Sequence, residues 1–159
     1  MTENKKVKNA TACDYKGIKF KSLMEKRAFE LLESEGLDPK YELITYTLVR
    51  GFYPSVPFYK KSNKGFNIDK IKIRDITYTP DFVVCKDGYI FLIEMKGFAN
   101  DTYPIKEKLF RKHLEEHFKG ENIIVFLVKS IKELKEVVNI IKNSSYERTE
   151  RVISNYNRT

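Results

Sequence analysis

The chain has 159 residues, of which 42% are hydrophobic and 33% are charged, the composition of an ordinary globular domain with a buried core. Thirty Lys and Arg residues against 22 Asp and Glu residues give a net charge of +8, which favours a polyanionic partner such as nucleic acid. No apolar run approaches the roughly 18 residues of a membrane span, and the polar start lacks the pattern of a signal peptide. Cys13 and Cys85 have no metal-site or disulfide spacing, so a reducing cytoplasm is expected, with Cys85 buried in its apolar run.

The first third of the chain predicts a polar arm followed by a helix. Residues 1–14 are expected to form a flexible basic arm, and Tyr15–Phe20 a short strand or turn. A helix is predicted over residues 22–35, because apolar side chains recur at helical spacing and Gly36 provides a stop. The side chains expected in its core-facing stripe are Leu23, Ala28, Leu31 and Leu32.

A strand and a long loop are predicted next. Tyr41–Val49 alternates and is rich in β-branched and aromatic residues, which is typical of a strand. Gly51–Lys72 contains prolines and lysines without a clear period and predicts a long basic loop, a kind of segment that often has a function. Its lysines are candidates for contacts to backbone phosphates: Lys60, Lys61, Lys64, Lys70 and Lys72.

A β-hairpin follows the loop. Ile76–Cys85 and Tyr89–Met95 are strongly apolar strands, and Asp87-Gly88 between them suits a type I′ turn, in which both central residues have positive φ. Counting outward from this turn places Asp81 directly opposite Glu94. The hairpin therefore predicts two facing carboxylates at its open end.

The last third of the chain adds a helix, a strand and a second helix. The helices are predicted over residues 104–118 and 130–143, with Ser130 and Glu133 as the cap of the second, and Ile123–Val128 is a continuous apolar run that predicts a strand. Residues 144–159 are expected to form a polar tail. The order of elements predicts a single α/β domain over residues 15–143, with a mixed central β-sheet flanked by helices.

The facing carboxylates form a candidate catalytic site. Like charges opposite each other destabilise a sheet, and the period of two places Lys96 on the same side as Glu94. A bound Mg²⁺ ion, or Mn²⁺ in its place, would offset the repulsion between the Asp81 and Glu94 carboxylates. Mg²⁺ binds through one or two carboxylates and keeps waters that a substrate phosphate can replace. Such a site suits phosphodiester hydrolysis, with the lysine stabilising the developing charge. The alternative is a solvated charge cluster.

These residues resemble a known nuclease signature. Pro80-Asp81, followed by Glu94-Met95-Lys96 at the end of the next strand, is similar to the PD-(D/E)XK nuclease motif. The resemblance extends over roughly residues 15–115. The longer runs that resemble the phage endonuclease I family of Holliday-junction resolvases are Phe20–Glu25, Lys40–Glu42, Tyr78–Phe82 and Glu94–Gly97.

The resemblance implies a restriction-endonuclease-like fold, with Asp81 and Glu94 as metal ligands and Lys96 as the catalytic lysine. It implies Glu25 as a further metal ligand and catalytic acid from the first helix, and Glu42 as a second upstream catalytic acid. The spacing from Glu25 to Glu42 is longer by two than in the resolvases, and the long basic loop is an insertion. The resemblance also implies a homodimer that cuts branched DNA in the cytoplasm of a phage host.

Two of these acids have structural alternatives. Ser22 and Glu25 have the spacing of a capping box, in which Glu25 accepts a hydrogen bond from the Ser22 backbone N–H. Glu42, taken alone, is an ordinary acid at the start of a strand. Asp75 and Asp101 lie near the site in sequence but are unremarkable loop acids, and neither is assigned a role.

Basic residues recur on the helix after the site. Lys108, Arg111 and Lys112 share a helix face at i, i+3 and i+4 and are expected to bind DNA backbone phosphates. Glutamates interleave with them, so a solvated face is the alternative. His113 and His117 lack a nearby third ligand and are interpreted as surface residues.

Three functions are consistent with the sequence. The first is a Mg²⁺-dependent DNA endonuclease, in particular a phage-type Holliday-junction resolvase. The second is a nucleic-acid-binding module without catalysis, whose acidic cluster is structural. The third is a restriction-type or end-processing nuclease of the same fold, and RNA remains open as a substrate.

Overall fold

A mixed four-stranded sheet lies at the centre of the chain, whose computed structural model describes residues 11–96 and 102–143. The helices are α1 (Leu23–Ser34), α2 (Tyr103–His117) and α3 (Ile131–Asn143). The strands are β1 (Cys13–Tyr15), β2 (Ile18–Phe20), β3 (Lys40–Tyr41), β4 (Tyr46–Val49), β5 (Tyr59–Ser62), β6 (Gly65–Ile68), β7 (Ile76–Tyr78), β8 (Phe82–Lys86), β9 (Tyr89–Met95) and β10 (Ile123–Val128). The sheet has the order β10-β9-β8-β3, and only the β9–β10 pair is parallel. The predicted α/β domain with a mixed sheet is confirmed.

The β8–β9 hairpin forms as predicted. Asp87 and Gly88 have φ values of 52° and 80°, which a type I′ turn requires and which glycine adopts without strain. The register confirms the count from the turn, from Lys86 opposite Tyr89 to Phe82 opposite Ile93. The turn therefore determines which face of the sheet each hairpin side chain occupies.

Helices cover both faces of the sheet. On one face, α1 and α3 bury Leu32 and Leu134 against Phe82 and Phe91, all at most 1% exposed. On the other face, α2 packs Phe110 against a smaller apolar cluster. Burying a side chain of this size contributes roughly 1.5–3 kcal/mol, so the sheet and its helices stabilise each other mainly through these contacts.

Caps delimit α1 and α3. Ser22 Oγ accepts a hydrogen bond from the Glu25 backbone N–H at 3.2 Å, and Ser130 Oγ accepts one from Glu133 at 3.2 Å. Gly36, with φ 75°, ends α1 where the predicted stop lies. None of the described helices is long and apolar enough to cross a membrane.

Two segments predicted as single strands are interrupted. Tyr41–Val49 divides into β3 and β4, because Glu42 has a φ of 45° and turns the chain out of the sheet. Ile76–Cys85 divides into β7 and β8, and the break falls beside Pro80, which has no N–H to donate to a ladder. Both interruptions occur next to Asp81, so the chain passes between the central sheet and the separate β4–β7 pair at the candidate site.

Three smaller predictions were wrong. Cys13 belongs to β1, which pairs with β2, so the last residues of the predicted arm are part of the fold, while residues 1–10 and 144–159 lie outside the described residues. Leu23, at the first turn of α1, is 47% exposed because it precedes the part of the helix that packs on the sheet. Cys85 is exposed next to the hairpin turn.

The long basic loop contains regular structure. β4 and β7 pair antiparallel, Phe52 and Ile73 continue the pairing as an isolated bridge, and β5 and β6 form a hairpin beyond it. We call residues 50–74 the hairpin arm. Its base is held by two backbone hydrogen bonds between Phe52 and Ile73, at 3.0 and 2.8 Å, and by Gly51 N–H donating to Asp75 Oδ1 at 2.7 Å.

Gly51→Ala is expected to open the base of the hairpin arm. A Cβ at this position would lie 2.4 Å from the Ile73 carbonyl oxygen and 2.8 Å from Asp75 Oδ1. Overpacking costs about 1–3 kcal/mol, comparable to what the hydrogen bonds at the base contribute. We expect trypsin to cleave the arm faster in this variant while the melting temperature of the domain changes little. Ser55→Ala is the matched control, and equal cleavage rates in the two variants would contradict the expectation.

Candidate active site

Asp81 lies one residue before β8, at the open end of the hairpin. Its backbone carbonyl accepts a hydrogen bond from the Glu42 N–H at 2.9 Å, and its Oδ2 accepts one from the Met95 N–H at 2.6 Å. The regular ladder ends one pair earlier, so Asp81 and Glu94 do not form the last rung that the sequence count predicts. Instead, the Asp81 side chain bonds to the backbone next to Glu94.

Glu94 is a buried carboxylate with an unsatisfied oxygen. Its residue is 8% exposed, and Oε2 has no hydrogen-bond partner in the described part of the chain. An unpaired buried carboxylate is costly, and burial accordingly raises the pKa of Glu94. Glu94 therefore carries a buried acceptor that the described residues leave unsatisfied.

The pKa of Asp81 is raised by the same surroundings as that of Glu94. Burial, and then the negative charge of Glu94, raise the pKa of Asp81 to about 8, against the opposing hydrogen bond from Met95. The charges of Glu25 and Glu42 raise it further. The four predicted acids therefore share one electrostatic environment centred on Asp81.

Lys96 lies beside Glu94, on the side that strand alternation predicts. Its Nζ is 3.6 Å from Glu94 Oε1 and 4.0 Å from the centroid of the Tyr103 ring. Its backbone N–H donates to the Val128 carbonyl at 2.7 Å, which fixes the end of β9 against β10. The ammonium is thus held between a carboxylate and an aromatic face, and a cation–π contact of this kind contributes about 0.5–2 kcal/mol.

Glu25 is engaged by the N-terminus of its own helix. Its carboxylate accepts hydrogen bonds from Ser22 Oγ at 2.9 Å, the Lys21 backbone N–H at 3.0 Å and the Tyr41 hydroxyl at 2.5 Å. This is a variant of the predicted capping box, with the Lys21 N–H in place of the Ser22 N–H. Burial and the bond to Glu25 raise the pKa of Tyr41, so its hydroxyl remains a donor. Glu25 therefore caps its helix and also lies close enough to Asp81 for its charge to raise the pKa of Asp81.

Lys21 is a site residue that the sequence analysis did not identify. Its Nζ forms an ion pair with Glu42, whose left-handed backbone directs it toward the site. Burial lowers the pKa of Lys21, but the bond to Glu42 and the charges of Glu25 and Asp81 outweigh this and raise it. The sequence did contain one signal for Lys21. It immediately precedes the N-cap Ser22, and a residue at that position has its side chain at the start of the helix, where Glu25 also lies.

A cleft of about 300 Å³ opens beside Glu94. Tyr78 and Tyr103 line it, and burial raises the pKa of both hydroxyls, to about 12 for Tyr103. The negative charge of Glu94 contributes to both shifts. Sequence alone gave no signal for Tyr103 and marked Tyr78 only as the first residue of the Tyr78–Phe82 run, because the two tyrosines come from α2 and β7 and meet Glu94 only in the fold.

The basic residues of α2 are exposed as predicted. Lys108, Arg111 and Lys112 all face solvent, although Arg111 pairs with Glu107 at 2.6 Å and Lys112 with Glu116 at 3.4 Å. Exposed i,i+4 pairs of this kind contribute about 0.3–0.5 kcal/mol and separate readily. Arg111 also lines the cleft beside Glu94, so the helix brings a cation to the site.

The two histidines pack on each other rather than on the acids. The rings of His113 and His117 are 4.6 Å apart, and burial lowers the pKa of His113. Within residues 11–96 and 102–143, no group of three or more His, Cys, Asp or Glu side chains is arranged to hold a metal ion. The structure therefore does not bring Glu25 together with Asp81 and Glu94 as a set of three ligands.

The fold and the site define an α/β domain with a buried glutamate, a half-buried aspartate and an adjacent lysine at the open end of a hairpin. The family described as "Protein of unknown function (DUF1064)" matches residues 5–135, and the chain belongs to this family. No curated protein and no solved structure matches the chain.

Proposed function

We propose that this protein is a metal-dependent DNA endonuclease of the PD-(D/E)XK type that hydrolyses phosphodiester bonds at Asp81, Glu94 and Lys96. The observation that carries the proposal is a buried glutamate with an unsatisfied oxygen, Glu94, beside the half-buried Asp81 and a lysine. A structural ion pair would leave no buried acceptor unsatisfied. Perturbed carboxylates beside a cleft are typical of catalytic sites.

Asp81 and Glu94 fit a divalent cation such as Mg²⁺, with Mn²⁺ as a substitute. Mg²⁺ is commonly bound by one or two carboxylates together with waters and substrate phosphate, so a set of three protein ligands is not required. Both pKa values are raised by burial, which means that a cation would stabilise the charged pair. Such an ion supplies Lewis acidity at the phosphoryl group and a water of lowered pKa.

Lys96 stabilises the negative charge that develops on the phosphate. Its contact with the Tyr103 ring limits its motion, and its 3.6 Å separation from Glu94 leaves N–H groups for a substrate oxygen. Glu25 and Glu42 maintain the negative potential around Asp81. Glu25 becomes a direct ligand only if its carboxylate leaves the Ser22 and Tyr41 hydroxyls.

DNA approaches the site along α2. Lys108, Arg111 and Lys112 bind backbone phosphates, which gives affinity without sequence information. Arg111, which lines the cleft with Glu94, contacts the phosphate nearest the scissile bond.

Branched DNA is the proposed substrate, and the active form is a homodimer in the cytoplasm, the host cytoplasm for a phage-encoded protein. The support is the resemblance of Tyr78–Phe82 and Glu94–Gly97 to the phage resolvases. Two protomers would provide the paired cuts that a four-way junction requires.

Cleavage of a labelled four-way DNA junction tests the proposed function. Linear duplex and single strand are compared in parallel, with Mg²⁺ or with EDTA. We expect Mg²⁺-dependent symmetric cuts in the junction and none with EDTA. Sequence-specific cuts in linear duplex would favour a restriction-type enzyme. Binding without cleavage of any substrate would favour a nucleic-acid-binding module. The observation that supports this alternative is that the described residues contain no group of three metal ligands.

A further inference from the structure

The β5–β6 hairpin at the end of the arm has one apolar face and one polar face. Tyr59 is opposite Ile68 and Lys61 is opposite Phe66, and these two pairs lie on the same side because strand alternation has a period of two. The intervening pairs place Lys60, Ser62, Gly65 and Asn67 on the other side. The hairpin is therefore amphipathic, like a strand pair that packs against something.

Nothing in the described part of the chain packs on this apolar face. Phe66 is 70% exposed, Tyr59 58% and Ile68 45%. An isolated two-stranded hairpin is at best marginally stable in water, and a contiguous exposed apolar patch commonly marks a binding surface. The face is thus suited to a ligand that presents flat apolar surface.

The charge of the hairpin arm indicates the kind of ligand. Residues 50–74 contain five lysines and two arginines against a single aspartate, a net charge of +6. Lys60 pairs with the aspartate, Asp69, while Lys61 lies on the apolar face beside Phe66 and Lys64 lies in the turn at the tip. Two such arms packed face to face would repel each other, whereas a polyanion with flat apolar groups complements both features.

The β4–β7 ladder connects the hairpin arm to the candidate active site. Its two chains continue from the Val49–Ile76 end of the β4–β7 ladder, the other end of which is the Tyr46–Tyr78 pair, and Thr45 Oγ1 and Thr79 Oγ1 lie 2.7 Å apart just beyond that far pair. Tyr78 lines the cleft beside Glu94, and Asp81 follows two residues after Thr79. A nucleic acid bound along both the arm and the β4–β7 ladder would reach the acidic pair.

We propose that the hairpin arm binds single-stranded DNA, with Tyr59 and Phe66 stacking on unpaired bases and the arm lysines contacting phosphates. Aromatic side chains within a basic surface are the recurring means of holding unpaired nucleotides, because every base has a π-face. The inference rests on the proposed nuclease function and deepens it. It narrows the proposed branched substrate to a DNA branch with an unpaired segment next to the bond that is cut.

Equilibrium binding in EDTA tests this inference without cleavage. The full chain is titrated into a labelled oligothymidylate of about 16 nucleotides, the upper range for a single-strand-binding fold, and into a blunt duplex. Replacing Tyr59 and Phe66 together by Ala is expected to weaken single-strand binding at least tenfold, with little effect on the duplex. Ile140→Ala, an exposed apolar change on α3, is the matched control and should alter neither affinity.

Two further variants separate stacking from simple apolar contact. Phe66→Tyr keeps an aromatic ring and is expected to bind the single strand as the wild type does. Phe66→Leu keeps apolar area but removes the ring, and its affinity should fall. Equal affinity of the leucine variant and the wild type would overturn the stacking role.

Other outcomes would also overturn the inference. Unchanged single-strand affinity of the double alanine variant would exclude the arm as the binding surface. A wild-type dimer that dissociates in that variant, with DNA affinity intact, would identify the face as a contact between copies. Tighter binding of oligouridylate would assign the arm to RNA.

The two proposals can fail separately. Loss of single-strand binding in the double variant, together with a wild type that cuts no substrate, would support the arm and exclude the nuclease. Mg²⁺-dependent cleavage with unaffected single-strand binding would support the nuclease and exclude the arm.

Discussion

Asp81→Asn and Glu94→Gln are each expected to abolish Mg²⁺-dependent DNA cleavage while making the metal-free protein more stable. Each change removes one charge from the pair that would hold the cation, and the catalytic loss should reach at least about a thousandfold. The measurement is the rate of junction cleavage by each purified variant. Full activity in either variant would contradict the proposed site.

Stability should move in the opposite direction because the acidic pair destabilises the fold. Glu94 is buried with an unsatisfied oxygen, and desolvation together with the charge of Glu94 raises the pKa of the half-buried Asp81. A neutral amide relieves the desolvation and the repulsion, and Asn at position 81 keeps an acceptor for the Met95 N–H. Each kcal/mol gained raises the melting temperature by about 2–4 °C for a chain of this size.

Metal binding and chemistry can be separated with a third variant. Mg²⁺ should raise the melting temperature of the wild type, because a ligand that binds only the folded state stabilises it, but not that of either amide variant. Lys96→Met keeps an apolar chain on the Tyr103 ring and removes the ammonium. It should retain the Mg²⁺ shift and lose cleavage, whereas loss of both would assign Lys96 a structural role.

The stability of the metal-free protein is expected to fall as the pH rises from about 4 to about 8. The pKa of Asp81 is raised to about 8 by burial and by Glu94, from 3.8 in the unfolded chain. Between these values the folded state binds a proton that the unfolded state has lost, so stability decreases with increasing pH and levels off above about 8. Urea denaturation across this range, compared with Asp81→Asn, measures the effect.

Mg²⁺ binding should show the reverse dependence on pH. The cation requires ionised carboxylates, so its affinity and the cleavage rate should rise with pH up to about 8, by as much as tenfold per unit. The Asp81→Asn variant should lose the slope in metal-free stability. A wild type whose stability is independent of pH over this window would show that Asp81 ionises normally in the fold.

Local features of the sequence were sufficient for most of the fold. The Asp87-Gly88 turn determined the hairpin register, because a two-residue turn with positive φ permits only one pairing. The caps at Ser22 and Ser130 and the stop at Gly36 delimited α1 and α3, since hydrogen bonds within one turn of the chain form them. These features depend on neighbours in sequence and therefore can be read from it.

The interruptions beside the site could not be predicted from the local pattern. Tyr41–Val49 has strand composition throughout, yet the chain turns at Glu42, where the neighbouring Asp81 carbonyl and Lys21 are its partners. The hairpin within the arm was likewise hidden, because its lysines and prolines obscure the alternation. Exposed strands do not need the apolar period that makes a buried strand recognisable.

The sequence by itself determined the proximity of Asp81, Glu94 and Lys96, because strand register and alternation are local rules. Only the tertiary structure decided which groups pair with these charged side chains and how deeply each one is buried. It engaged Glu25 with the Tyr41 hydroxyl, brought Lys21 to Glu42, and placed the Tyr103 ring against Lys96. It also buried Glu94 with an unsatisfied oxygen. These contacts join residues from separate elements, and burial and pKa depend on everything packed around a group, which no local pattern contains.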